Sequence, residues 1–281
     1  MQGELALAIA LAAYGDVFLK ETRAAPPELF PQNSTLQYVA SISFEETESR
    51  EPFASLEAIA AKTERGRFQD IRAASGTAAW YLMLARRKAK RLWMNKIESE
   101  EELPARLRTA FAGGVQWAIQ VDYPSDFELW SPQWKHQGGQ KPWKVRCEGL
   151  FVNRPLPRRW RPLRDAKDEL EVAVRRAEGF SSEVQEDWFS EQFRKALTLL
   201  QSDQPVPPYH PDMLPEKGYT IDARRLLAAA AASWVFGGMG SFNDLGFRER
   251  GINREYHQVA DRLFSAVLDA ILSAVNSNQD K

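Results

Sequence analysis

Cysteine is almost absent from this chain. Cys147 is the only one in 281 residues, so no internal disulfide can form. That suits a reducing compartment, and it excludes structural zinc of the cysteine-rich kinds. Histidine is nearly as scarce. His136, His210 and His257 are the only three, and they form neither HExxH nor a paired-histidine spacing. Long apolar runs are missing too. Leu5–Ala13 is too short to span a bilayer, and Glu4 is the only charge before it, so no basic leader precedes it. The formal net charge is -1, so the chain as a whole has no bias toward polyanions. The expectation is a soluble, cytoplasmic protein with no cofactor, no metal and no membrane partner.

A chain of this length can bury a sizeable core, and nine Trp and fifteen Phe supply large packing anchors. Glu4–Glu21 reads as a helix apolar on most sides, hence buried. In Leu36–Phe44, the residues Leu36, Tyr38, Ala40, Ile42 and Phe44 alternate with polar or smaller ones, which predicts a strand. Phe53–Thr63 reads as helical. Thr77–Ile97 reads as a helix capped by Thr77 or, in Ala79–Ala85, as a strand. A helix from Pro104 stops at Gly113-Gly114. Val115–Tyr123 alternates like a strand with one wet face. Trp143–Val152 does the same, with Trp143, Val145 and Cys147 opposite Lys144, Arg146 and Glu148. One-sided strands favour an antiparallel sheet covered by helices on one face.

The second half reads as helical. Asp165 caps a helix ending at Gly179, and Ser182 with Gln185 forms a capping box for the next. Gln201–Lys217 holds five prolines and reads as a loop. Asp222 caps a helix to Phe236, and Asn253 caps the last one. The expected fold class is α+β, a small antiparallel sheet with covering helices over 1–160 followed by a mainly helical region over 161–281. The proline- and arginine-rich Asn153–Arg164 is the candidate boundary, and one continuous domain is the alternative.

Two features stand out as candidate sites. The first is Trp234–Phe247, WVFGGMGSFNDLGF, in which Gly237, Gly238 and Gly240 are followed by Ser241, Asn243 and Asp244. The glycines come after a helix, where the dipole is negative. There is no GxxxxGK[ST], and Asn243 replaces the third glycine of GxGxxG, which argues against a phosphate loop. Gly-x-Ser-x-Gly is absent, and His257 is accounted for by a helical pairing with Asp261. The readings left are a helix-ending turn held by Asn and Asp side chains, or a pocket centred on Ser241, Asn243 and Asp244. The second feature is basic. Trp134, Trp143, Arg146, Arg154, Arg158, Arg159, Trp160 and Arg161 lie in a stretch with Glu148 as its only acid. Such a surface meets an acidic protein, or neutralises phosphates and stacks bases. Its alternative is a solvated face balanced by the acidic Glu45–Glu51 and Glu98–Glu102 segments.

The string FGGMGSFNDLGF, with the hydrophobic helix before it, resembles a motif in uncharacterised bacterial proteins, some of which resemble immunity proteins that neutralise secreted toxins. The resemblance covers about Leu226–Phe247 and implies a partner-binding role with no catalytic residue attached. The expectation is a non-enzymatic partner-binding protein. The alternatives are nucleic-acid binding through 134–164 and an enzyme centred on Ser241.

Overall fold

The computed structural model describes residues 1, 3–21, 24–46, 73–97, 116–152, 154–158 and 160–278. The helices expected over Phe53–Thr63 and from Pro104, the residue Arg159, and most of the acidic segments lie outside the described residues.

A six-stranded sheet organises the first half. Its strands are β1 (Val39–Glu46), β2 (Ala73–Ser75), β3 (Arg91–Ile97), β4 (Gln116–Asp122), β5 (Phe127–His136) and β6 (Trp143–Val152), in the spatial order β2-β1-β6-β5-β4-β3. The expected small antiparallel sheet is corrected here, because β1 and β6 run parallel and the sheet is mixed. The remaining pairs are antiparallel. The architecture remains α+β.

One face of the sheet is covered by helices α1 (Gly3–Lys20) and α2 (Thr77–Arg86). Helix α1 carries no charge between Glu4 and Asp16, and Leu5–Ala13 is almost completely shielded from solvent. A helix apolar on every side must be buried on every side. It packs on β3, β4 and β5, where Trp117, Ile119, Val121 and Trp130 line the inward face. Gly149 of β6 lets the Trp130 ring lie against the backbone. A Cβ there would sit 2.7 Å from that ring. Cys147 is buried beside it, and burial pushes its thiol well above the ordinary range.

Four further helices form the second half: α3 (Leu163–Glu183), α4 (Asp187–Leu199), α5 (Ile221–Ala232) and α6 (Arg250–Val275). Their apolar stripes pack α3 on α4 and α6, and α5 on α4 and α6. One contiguous buried cluster takes side chains from α1, the inward sheet face and all four of these helices.

Several expected boundaries move. The ambiguous Thr77–Ile97 is neither one helix nor a strand at its start. It is α2, a turn at Arg87–Lys90, then strand β3. Helix α3 runs through Gly179 to Glu183. Helix α4 is preceded by Glu186 without a side-chain cap, so Ser182 and Gln185 form no capping box. Thr220 rather than Asp222 caps α5, its side chain accepting from the Ala223 amide. Helix α6 begins at Arg250, ahead of Asn253. In β1, a register shift between Val39 and Ser41 breaks the alternation, so Val39 is buried and Tyr38 is 60% exposed. Among the described residues, no helix is long and apolar enough to cross a membrane.

Candidate functional site

Helix α5 stops at Ala232, four residues short of the Phe236 expected from sequence. The chain then forms a closed loop, pinned where the Phe242 amide donates to the Val235 carbonyl at 2.9 Å. Gly240 turns the corner at φ +83°, a backbone region that glycine adopts without strain. Ser241 caps the short 3-10 turn Phe242–Asp244 in a reciprocal capping box. Its Oγ accepts from the Asn243 amide at 3.2 Å and donates to the Gly237 carbonyl at 3.3 Å. Asp244 Oδ2 accepts from the amides of Gly240 and Ser241. These hydrogen bonds are spent on the turn's own backbone. His257 stays on its helix, 3.3 Å from Asn253.

The loop is held down by one ring. Phe242 has no solvent exposure and meets Phe189, Phe193, Phe236 and Tyr256 edge-on, at centroid separations of 5.1 to 6.4 Å. The Tyr256 hydroxyl donates to the Phe242 carbonyl at 2.7 Å. Around this anchor, Gly237 is half-buried, Gly238 is exposed and Met239 is fully exposed.

The basic stretch does not form one patch. Its first part is the β5–β6 hairpin. There Trp134 and Trp143 contact each other edge-on at 6.0 Å, and His136 leans on Trp143 at 5.1 Å. Both indoles are half-buried on the inward side. On the outward side Lys135 stands directly opposite Lys144. Both are exposed, and neither forms an ion pair among the described residues. Two residues along β6, Arg146 pairs with Glu148 and reaches Glu45 at 3.9 Å.

The second part is the segment after β6, which straps the outward face. Leu156 is buried against Leu129 and Leu150, and its amide donates to Gln120 Oε1 at 2.8 Å. This strap keeps Gln120 dry, where the sequence pattern predicts a wet face. At the far edge Trp93 donates to Asp122 at 2.7 Å, and Trp160 stacks on its ring at 5.5 Å. Arg158 lies over Trp93 at 4.3 Å and 3.6 Å from Asp122, while Arg161 pairs with Asp269 at 3.2 Å. Arg154 is exposed. The strap crosses the strands six residues along β6 from Lys144, about 20 Å at strand rise. Arg158, Trp160 and Arg161 therefore fasten the strap, whereas Lys135 and Lys144 face solvent.

A third cluster is not flagged by the sequence pattern. Glu128 faces the helix-covered side next to Trp130 and is fully buried. Tyr123 donates to its Oε2 at 2.8 Å, and Arg87 sits 3.7 Å from its Oε1 while also pairing with Glu46. Burial pushes the Glu128 carboxyl up to about 7, against the pull of Arg87. The one legible hint is a lone acid inside the apolar run Phe127–Trp130. With no exposed surface, Glu128 acts on the fold. Between the ordinary glutamate range and pH 7 the unfolded chain has released this proton and the folded chain keeps it. Stability therefore falls as pH rises through that window. The expected size is on the order of 3 kcal/mol, at 1.36 kcal/mol for each tenfold change in proton affinity. Glu128→Gln cannot ionise, so its urea midpoint should lose that share of the decline between pH 5 and pH 8. Parallel pH profiles for the two proteins would contradict this.

Among the described residues, no cluster of three or more His, Cys, Asp or Glu side chains could hold a metal ion. No family model, curated protein or solved structure matches this chain.

Proposed function

We propose that this is a non-enzymatic partner-binding protein, immunity-like in its action, which covers an acidic surface of another protein with the outward face of its β5–β6 hairpin. The observation that carries this reading is the Lys135–Lys144 pair. Like charges directly opposite each other on neighbouring strands destabilise a sheet. An acidic partner offsets that cost and is steered toward it. The turn after α5 favours a binding role over a catalytic one, because the Ser241 and Asp244 side chains serve the backbone of their own loop. Protein is favoured over nucleic acid because Trp134, Trp143 and Trp160 pack against neighbouring rings instead of presenting open faces to bases.

The pair makes a prediction of opposite signs. Lys135→Glu turns a repulsion into an attraction, so stability should rise by about 0.2–1 kcal/mol. Capture of acidic partner proteins should fall, most steeply at low salt. The measurement is quantitative affinity capture with the wild-type and variant chains at two salt concentrations, beside thermal unfolding. The same acidic proteins captured equally by both chains would remove the proposal. Duplex DNA shifted by the wild type and released by the variant would move it to the nucleic-acid alternative.

A further inference from the structure

We infer that the proline segment 205–209, in the loop between α4 and α5, is itself a ligand that docks into an aromatic-lined, proline-binding groove on a second protein. Three of its five residues are proline, in the order Pro205, Val206, Pro207, Pro208, Tyr209. Each proline fixes its own φ. Gln204, Val206 and Pro207 each precede one, which biases them toward extended backbone. The chain is extended over 205–207 and bends at Pro208 and Tyr209. Among the described residues, no hydrogen bond uses the backbone of this segment. Its carbonyls are open to a partner, and little conformational entropy remains to be lost on binding.

The loop is clamped on both sides of the segment and bare within it. Upstream, Arg225 donates to the Ser202 carbonyl at 2.7 Å and pairs with Asp203 at 2.8 Å. Downstream, the Asp212 carboxylate accepts from the Ser34 amide at 2.9 Å, and the Asp212 carbonyl accepts from Asn33 Nδ2 at 2.9 Å. Between these anchors the side chains stand in solvent. Val206 is 58% exposed, Tyr209 is 44% exposed, and Pro208 is exposed with them. Met213 and Leu214 of the same loop reach the main core, so the loop has access to a buried site that Val206 and Tyr209 do not use.

The surroundings of Pro208 identify the partner's chemistry. A groove of about 330 Å³ is lined by Pro208, by Gln192, Lys195, Thr198 and Leu199 of α4, and by Ala232 at the end of α5. It has room for a flat ring set against the pyrrolidine, as the aromatic walls of proline-binding grooves are. Among the described residues, Lys195 is the one charged side chain in its lining and no acid joins it. Such a groove favours the electron-rich face of an indole or phenol over a cation. Pro205 and Pro208 have the P-x-x-P spacing that aromatic grooves read, and Tyr209 adds a ring at the end of the segment. This contact uses none of the residues of the Lys135–Lys144 face.

The experiment uses the full chain and fluorescein-labelled proline-binding domains of the SH3, WW and EVH1 kinds, followed by anisotropy. At least one should bind, and a synthetic peptide of residues 201–213 should compete for it. Pro208→Ala removes the docked ring, and Thr198→Trp fills the groove from an exposed position. Each should weaken binding about tenfold or more. The thermal midpoints of both variants should stay close to wild type, since both positions face solvent. Lys135→Glu should leave the affinity unchanged, which separates this contact from the hairpin. Binding by none of the three domains overturns the assignment. So does undiminished affinity in Pro208→Ala or in Thr198→Trp, because the domain is then held elsewhere.

Discussion

Phe242→Ala should lower stability by about 3–5 kcal/mol, a large share of what a folded domain has. The ring is completely buried and meets four other aromatic rings, from α4, from α6 and from the chain just after α5. Removing it leaves a void among rigid groups that collapse poorly, and it loses edge-on contacts worth more than area alone. The neighbours supply the contrast. Ser241→Ala removes the cap and should cost about 1 kcal/mol. Met239→Ala touches nothing buried and should be silent. Phe242→Leu refills most of the space and should fall between the first two. Urea midpoints for the four variants give the order directly. A Phe242→Ala loss below that of Ser241→Ala would mean that polar turn bonds, and not the ring, hold the loop.

The local chemistry of that loop is legible in sequence because its parts lie within a few residues. A serine three positions before an aspartate predicts reciprocal capping, and a glycine before the serine predicts a sharp corner. The end of α5 is less legible. Alanines and the apolar Trp234–Phe236 continue a helical pattern, yet the helix stops at Ala232. The competing influence is tertiary: Val235 gives its carbonyl to Phe242, and Trp234 and Phe236 turn into the aromatic cluster with Phe264.

The sheet shows the same division. Strands β4 and β6 are legible because apolar and polar residues alternate along them. Strand β5 is obscured by Pro132 in its middle and by Glu128 on its inward face. Proline is tolerated there because the paired residues of β4 and β5 extend only to Ile119 and Trp130, so Pro132 has β6 alone as a ladder partner. The parallel pairing of β1 with β6 joins segments about a hundred residues apart, and no one-dimensional pattern carries strand direction. The basic stretch is visible as a composition, but its division is not. Asp122, Trp93 and Asp269, which take up Arg158 and Arg161, lie far from them in sequence.

Asp16→Ala should cost about 3–5 kcal/mol, because it breaks a buried ionic network by removing its acceptor. Asp16 is 2% exposed, next to a helix segment, Leu5–Ala13, that is wholly apolar. Its Oδ1 accepts from Arg91 Nε at 2.9 Å and from the Leu92 amide at 3.1 Å. Its Oδ2 accepts from Asn278 Nδ2 at 2.9 Å and lies 3.3 Å from Lys20. Arg91 and Lys20 each donate in turn to the Asn278 carbonyl. The carboxylate thus joins α1, the edge strand β3 and the segment after α6. Two residues earlier, Asn276 spans the Met94 backbone with bonds of 2.8 Å in both directions, continuing the edge of the sheet. Removing Asp16 takes one of its acceptors from the Arg91 guanidinium and the acceptor of the Leu92 amide, and the loss should reach Asn276 through the shared segment. Hydrogen exchange should therefore show the Met94 amide less protected in Asp16→Ala, although Met94 does not touch Asp16. Asp16→Ala and Asn276→Ala combined should destabilise by less than the sum of the two, because either one already loosens the same tether. Full additivity, with unchanged Met94 protection, would show that the two anchors act independently.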